Sequence, residues 1–165
     1  MTIRTLPDPI LRARCAAVTT TCGLDLLSQQ LVEQMQRGAG SVGIAAPQIG
    51  TLQRVITIDC RKARHRCANH GLLTMVNPKI ISSSGHKLGR EGCLSVPDWV
   101  ATVERATKIS VEYQDCTLRW HSCDATGFEA RVIQHEIDHL DGILFIDRIT
   151  STRDMVRRIA ADIEQ

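Results

Sequence analysis

The chain has 165 residues, 43% of them hydrophobic and 23% charged, which is the size and composition of one globular domain. Its formal net charge is only +2, and its acids and bases are largely intermixed, which argues against a nucleic-acid groove. No apolar run is long enough to span a bilayer, and the first residues lack the apolar core of a secretion signal. We therefore expect a cytoplasmic protein, or a protein of an organellar matrix if the source is a eukaryote.

The chain contains seven cysteines, an odd number that does not suit a complete disulfide framework. Cys60, His65, Cys67 and His70 crowd one segment and could in principle hold a second metal ion. A polar loop with incidental Cys and His residues is the simpler interpretation of that segment.

The first predicted helix spans residues 24–37, because apolar residues recur there at helical spacing and glycines follow. The apolar positions are Leu26, Leu27, Leu31 and Met35. Short strands rich in β-branched residues are predicted after this helix. They cover 55–58, 74–81, 100–103 and 108–113, with a weaker strand at 118–121. Asn77-Pro78 interrupts the second of these strands, which argues for an edge strand or a bend.

The strongest predicted helix spans residues 128–140, with apolar residues on two sides, so we expect a central, buried helix. Met155, Ile159 and Ile163 recur at helical spacing and predict a last helix near the C-terminus. Helices that enclose strands of antiparallel type indicate an α+β fold in a single domain over residues 1–165.

The central helix carries the sequence His135-Glu136-Ile137-Asp138-His139, which contains H-E-x-x-H. Residues four apart share a helical face, so both imidazoles can reach one metal ion, and Glu136 can exchange a proton with a water molecule there. The alternative is a pair of helical histidines that only form hydrogen bonds.

A catalytic metal site needs a third protein ligand, and Cys93 in Glu91-Gly92-Cys93-Leu94-Ser95 is the best candidate. Taken alone, Cys93 is better explained as a small core residue. The segment 41–50 is rich in small residues and ends in Pro47-Gln48-Ile49-Gly50, where Gln48 could donate to a developing oxyanion. Taken alone, this segment is a tight turn between a helix and a strand.

Together, the loop at 41–48, the turn at 91–95 and the helix at 134–139 resemble the three signature motifs of the peptide deformylases. The motifs occur in the family's order, and the resemblance extends over nearly the whole chain. It implies small antiparallel or mixed sheets around the central helix that carries H-E-x-x-H, with helices at the N- and C-terminal ends.

The resemblance also assigns roles to individual residues. It implies that Cys93, His135 and His139 are metal ligands, with a water molecule as the fourth. Glu136 would be the general acid and base, and Gln48 with the Leu94 N–H would bind the oxyanion. Substrate-binding positions would be Val42, Gly43, Gly92, Phe128 and Val132.

The implied cofactor is one divalent metal ion, with Fe²⁺ expected and Zn, Ni or Co as substitutes. The implied reaction is hydrolysis of the formyl group on nascent peptides, with release of formate. We expect no DNA or membrane partner and a monomer or weak dimer. The arginines at 153, 157 and 158 could touch ribosomal RNA, although a solvated helical face explains them more simply.

Three positions depart from the family pattern. Ser41 replaces the first motif glycine, Gly89 stands where a larger apolar pocket residue is common, and Val100 stands where many relatives carry an arginine. A deformylase-like amidase with an altered acyl preference is therefore an alternative function. Arg105 could pair with Glu91 beside the site or could form a plain surface ion pair.

The sequence is compatible with two further functions. A zincin-type peptidase would take its third ligand from a downstream carboxylate, because no histidine follows His139. The candidates are Asp147, Asp154, Asp162 and Glu164. A non-catalytic metal-binding protein is the other alternative, although it would have no need of Glu136.

Overall fold

The computed structural model describes residues 2–158, which form two α-helices and six strands. The helices are α1 (Leu24–Arg37) and α2 (Gly127–Leu140). The strands are β1 (Gly43–Ala45), β2 (Val55–Asp59), β3 (Leu72–Cys93), β4 (Val96–Gln114), β5 (Trp120–Thr126) and β6 (Met155–Arg157). Short 3-10 turns lie at Pro9–Arg12, Ala46–Ile49, Cys60–Lys62, Phe145–Arg148 and Thr152–Asp154.

The strands form one antiparallel sheet in the order β1-β2-β3-β4-β5, with β6 also paired to β4. The α+β class and the deformylase-type fold agree with the prediction, but the strand pairings within residues 2–158 join one sheet rather than several. β1 is an edge strand among the described residues, so one side of its backbone has no strand partner there.

α1 has the predicted bounds. Its buried apolar positions, Leu24, Leu27, Leu31 and Met35, recur every three or four residues and face a core that includes Ile44 and Val55. Leu26 is exposed, so its assignment to the apolar face was wrong. Gly38 follows the last turn, as predicted.

The four strands predicted between residues 74 and 121 are replaced by two long strands and β5. β3 and β4 form a hairpin whose two-residue turn is Leu94-Ser95. Asn77-Pro78 does not end β3, because a register shift absorbs the proline there. The Asn77 side chain donates to the Val18 carbonyl and accepts from the Val18 N–H, both at 2.8 Å, which holds this irregular point.

α2 packs against β1, β2, β4 and β5, and ten of its fourteen residues are buried. It is therefore the predicted central helix, and its apolar residues Ala130, Ile133, Ile137 and Leu140 belong to the largest core cluster. Phe128 is the exception to the prediction that both sides are buried, since its side chain is 40% exposed.

The predicted C-terminal helix is wrong where the structure describes it. Met155 lies in β6, which pairs with Trp99–Ala101 of β4. Ile159 and Ile163 lie outside the described residues. The arginines at 153 and 157 are exposed as expected, but on a 3-10 turn and a strand rather than on a helix. Neither α-helix of the described chain has the length and apolar character needed to cross a membrane.

Candidate metal centre

One Cys, two His and one Glu side chain meet where α2 passes the β3–β4 turn. Ligand atoms of Cys93, His135 and His139 all lie within 4.8 Å of one another, and Cys93 Sγ is 3.2 Å from His139 Nε2. The histidines are one helical turn apart on α2, and Cys93 is the last residue of β3. A thiolate with two imidazoles is a donor set that suits zinc or ferrous iron.

Hydrogen bonds fix both the sulfur and one imidazole. The Ser95 N–H and Gln48 Nε2 each donate to Cys93 Sγ at 3.4 Å. Burial opposes ionisation of Cys93, but the His139 charge and hydrogen bonds from both imidazoles hold the pKa of this thiol well below its usual value. His135 Nδ1 lies 2.9 Å from Glu91 Oε2, which leaves Nε2 as the nitrogen available to a metal ion.

Glu91 is the centre of a buried ion network. Arg105 donates to both of its oxygens at 3.0 Å, and Arg131 donates to Oε1 at 2.7 Å. Burial raises the pKa of Glu91, but hydrogen bonds from His135 and Arg105 outweigh it and lower the pKa to about 2. Arg105 and Glu91 are 5% and 7% exposed, so this is not a surface ion pair.

Arg105 also joins Asp138 to the network. Arg105 Nη1 donates to Asp138 Oδ2 at 2.5 Å, and Arg148 donates to both Asp138 oxygens. Asp138 had no predicted role, although it lies inside the helix motif next to His139. The network therefore connects β3, β4 and α2 directly behind the two histidines.

Glu136 lies in a pocket that Gly43 makes possible. A Cβ added at Gly43 would lie 2.5 Å from Glu136 Oε1 and 2.9 Å from Val132 Cγ1, so a side chain at position 43 would displace the carboxylate. Glu136 Oε2 is buried and has no hydrogen-bond partner among the described residues. Burial raises the pKa of Glu136 to about 7, which is the range for a group that takes and returns protons near neutral pH.

Gln48 is held in one orientation at its buried position. Its Oε1 accepts from the Ala45 N–H at 2.8 Å, and its Nε2 donates to Ser95 Oγ at 3.1 Å. Its amide hydrogens therefore face the Cys93 turn, and Leu94 is the next residue of that turn. Ser95 was not predicted as part of the site, although it belongs to the 91–95 segment that resembles a signature motif of the family.

A cleft with a volume of about 220 Å³ opens over this centre. Its walls bring together all the predicted substrate and catalytic positions. They are Val42, Gly43, Gln48, Gly92, Leu94, Phe128, Val132 and Glu136, with Cys93 and His135 at its base. His139 is 1% exposed and lies behind them.

The comparisons with known proteins agree on one family. The sequence profile described as Polypeptide deformylase matches residues 1–155. Peptide deformylase 1 of Vibrio vulnificus is 41% identical over 148 residues, which cover 90% of this chain and 85% of that protein. The chain belongs to the peptide deformylase family.

Solved deformylase structures have the same fold. The Thermus thermophilus enzyme has a TM-score of 0.80 at 41% identity and covers 89% of this chain and 84% of its own. The Plasmodium falciparum enzyme has a TM-score of 0.84 at 32% identity and covers 93% of this chain and 88% of its own. Peptide deformylases are metal-dependent, which agrees with the Cys/His/His group at the base of the cleft.

The zincin alternative finds no support within the deformylase fold. Asp147 pairs with Arg12 and accepts from the Leu144 N–H, and Asp154 accepts from Thr150. Asp162 and Glu164 lie outside the described residues. Within residues 2–158, the only Cys/His/Asp/Glu group that could hold a metal is Cys93, His135 and His139.

The cysteine-rich segment 60–70 has a structural explanation. The side chain and N–H of His70 lie 2.8 and 2.7 Å from the buried Glu129 carboxylate, and Cys67 Sγ is directed at the Cys60 carbonyl. The seven cysteines, all within the described residues, are free thiols.

Proposed function

We propose that this protein removes the N-terminal formyl group of formyl-methionyl peptides by metal-dependent hydrolysis and releases formate. The observation that carries the proposal is the meeting of Cys93, His135 and His139 ligand atoms within 4.8 Å at the base of a cleft that also contains Glu136. Membership of the peptide deformylase family supports the same reaction.

Cys93, His135 and His139 would hold one divalent cation, and we propose Fe²⁺, with Zn, Ni or Co as substitutes. The donor set fits such an ion because the sulfur favours the thiolate form and Glu91 fixes the His135 ring. When bound, the cation lowers the pKa of a coordinated water molecule and polarises the formyl carbonyl.

Glu136 acts as the proton carrier in this proposal. Its unpartnered Oε2 accepts a proton from the attacking water and later returns it to the departing amine nitrogen. The C–N bond of the formamide breaks in that second step, so the products are formate and a free N-terminus. A carboxylate enclosed beside Gly43 and Val132 can perform this transfer without a second titrating residue.

Gln48 and the Leu94 N–H would stabilise the negative oxygen of the tetrahedral intermediate. Gln48 suits this role because the Ala45 N–H fixes its Oε1 before substrate binds, and the Nε2 hydrogen that now points to Cys93 Sγ at 3.4 Å would turn to the oxyanion. A preorganised donor of this kind contributes about 10²–10³ in kcat when it is aimed at the developing charge.

The peptide backbone would pair with the free edge of β1 at Gly43, as an added antiparallel strand. Gly92 would approach the same backbone from the opposite wall of the cleft. The methionine side chain would enter the apolar part of the cleft formed by Val42, Phe128 and Val132. The formyl carbon carries only hydrogen, so a confined site accepts it and excludes larger acyl groups.

We propose residues 1–165 as a single catalytic domain whose substrates are N-formylated nascent peptides. A ribosome contact, a cytoplasmic location and a monomeric or weakly dimeric state stay predictions. The alternative function, an amidase with another N-acyl preference, is favoured by one observation: Arg131 contributes a guanidinium to the cleft beside Gly89.

The test is formate release by anaerobically purified protein, with metal analysis of the same sample. We expect hydrolysis of formyl-Met-Ala-Ser, little hydrolysis of acetyl-Met-Ala-Ser, and one metal ion per chain. Glu136→Gln should retain the metal and lose most activity, whereas Glu104→Gln, an exposed carboxylate on β4, serves as the matched control. An iron-loaded sample that releases no formate would contradict the proposal, and a preference for another acyl group would favour the alternative.

A further inference from the structure

Two arginines stand at the mouth of the cleft beside Gly92. Arg90 and Gly92 alternate with the buried Glu91 and Cys93, so they face the same side of β3. The guanidinium of Arg158 lies on Gly92, in space that any side chain at position 92 would need.

Arg158 reaches this place through the pairing of β6 with β4. Val156 pairs with Val100, and the Arg158 N–H donates to the Asp98 carbonyl at 2.8 Å. Val100 in turn pairs with Gly92 on β3. The side chain of Arg158 therefore crosses β4 and ends over the strand that carries Cys93.

Neither of these two arginines has an anionic partner within the described residues. The third arginine of the cleft, Arg131, binds Glu91 and three carbonyl oxygens. Across residues 2–158, by contrast, no hydrogen bond or ion pair engages the guanidinium of Arg90 or Arg158. Glu91 is already bound by Arg105, Arg131 and His135, so it is not available to them.

We propose that Arg90 and Arg158 form a cationic rim that binds an acidic side chain of the peptide substrate, downstream of its first residue. This inference rests on the proposed function, because it takes the occupant of the cleft to be a formyl-peptide. The first side chain lies in the apolar pocket and the scissile bond lies at Glu136, so the following residues leave through the mouth. Guanidinium groups bind carboxylates with directed, charge-assisted hydrogen bonds.

The experiment compares two peptides that differ only in charge, formyl-Met-Glu-Glu-Ser-amide and formyl-Met-Gln-Gln-Ser-amide. The amidated ends remove the terminal carboxylate, so the glutamates are the only anionic groups. We expect wild-type protein to favour the Glu peptide in kcat/KM by about threefold to tenfold, a range typical of partly exposed ion pairs. This ratio should fall towards one at high salt.

Arg158→Gln and Arg90→Gln should each lower the ratio, and the double variant should bring it to one or below. Arg157→Gln is the matched control, because Arg157 is the exposed neighbour of Arg158 on β6 and does not line the cleft. It removes the same charge and should keep the wild-type ratio. An equal loss in Arg157→Gln would mean that net charge alone sets the ratio, and would overturn the proposal.

A binding measurement separates this inference from the proposed function. Both peptides, labelled with a dye at a C-terminal lysine amide, are titrated with each variant by fluorescence anisotropy. If wild-type protein binds the Glu peptide more tightly and Arg158→Gln removes the difference, the rim is supported even without formate release. The proposal would be overturned if wild-type protein showed no preference for the Glu peptide in binding or turnover. It would also be overturned if Arg158→Gln and Arg90→Gln both kept the wild-type preference.

Discussion

The guanidinium of Arg131 fills the space that a side chain at position 89 would occupy. A Cβ added at Gly89 would lie 2.9 Å from both Cζ and Nη2 of Arg131. The guanidinium donates to Glu91 Oε1 at 2.7 Å and to the carbonyls of Val103 and Lys87 at 2.9 and 2.6 Å. Gly89, which departs from the family pattern, is therefore explained by its neighbour on α2.

We predict that Gly89 and Arg131 are energetically coupled. Gly89→Ile alone should destabilise the protein by about 1–3 kcal/mol, because the new side chain displaces the guanidinium from its acceptors. Gly89→Ile with Arg131→Met should lose less stability than the sum of the two single changes, by about 1 kcal/mol or more. Urea unfolding of the four proteins measures this coupling.

Arg37→Met is the control for this cycle, because Arg37 ends α1 on the surface. Gly89→Ile combined with Arg37→Met should be additive within about 0.5 kcal/mol. If the effects of Gly89→Ile and Arg131→Met were also additive, the side chains at positions 89 and 131 would not compete for the same space.

Glu91 should control both metal binding and stability. Glu91→Gln keeps the side-chain shape but removes the charge that holds His135, Arg105 and Arg131. We expect metal affinity to fall by about 10–100-fold. We also expect a loss of about 3–5 kcal/mol in folding stability, because the buried Arg105 and the half-buried Arg131 each lose one charged partner.

Chelator competition and denaturant unfolding of the metal-free protein measure these two effects separately. The exposed Glu104→Gln variant on β4 should change neither. A Glu91→Gln protein with wild-type metal affinity would show that orientation of His135 by Glu91 is unimportant.

Ser41 should weaken peptide binding at the β1 edge. Its hydroxyl donates to the Gly43 carbonyl at 3.1 Å, and Gly43 lies on the strand edge proposed to receive the substrate backbone. Ser41→Ala removes this competing donor without the added flexibility of glycine. The KM for formyl-peptides should fall by about twofold to tenfold, as expected for release of one hydrogen bond.

Steady-state kinetics of Ser41→Ala and the exposed control Ser151→Ala provide this measurement. A KM that rises in Ser41→Ala would indicate that the hydroxyl instead holds the Gly43 carbonyl in its binding position.

Local signals in the sequence predicted the long helix α2 and the two histidines of the candidate metal group. The spacing of His135 and His139 depends only on helix geometry, and the bounds of α1 follow from its apolar period and flanking glycines. The third residue, Cys93, needed the family motif, because its place beside the helix depends on the β3–β4 hairpin.

Long-range pairing accounts for what the sequence did not predict. Asn77-Pro78 has the signature of a strand break, yet contacts with Val18, 59 positions away in sequence, keep β3 continuous. Met155 belongs to a set of apolar residues at helical spacing, but it instead lies in β6, which pairs with β4. The partners of Arg131 and Asp138 lie on other elements, so no local pattern indicates them.

The most direct test of the metal centre is X-ray absorption at the metal edge, on wild-type protein and on Cys93→Ala loaded anaerobically with iron or zinc. We predict one sulfur at about 2.3 Å and nitrogen or oxygen at about 2.0–2.1 Å in the zinc-loaded wild type, and loss of the sulfur with lowered occupancy in Cys93→Ala. Cys123→Ala, a half-buried cysteine outside the cleft, should retain the wild-type spectrum. A wild-type spectrum without sulfur, or full occupancy with unchanged coordination in Cys93→Ala, would contradict the account.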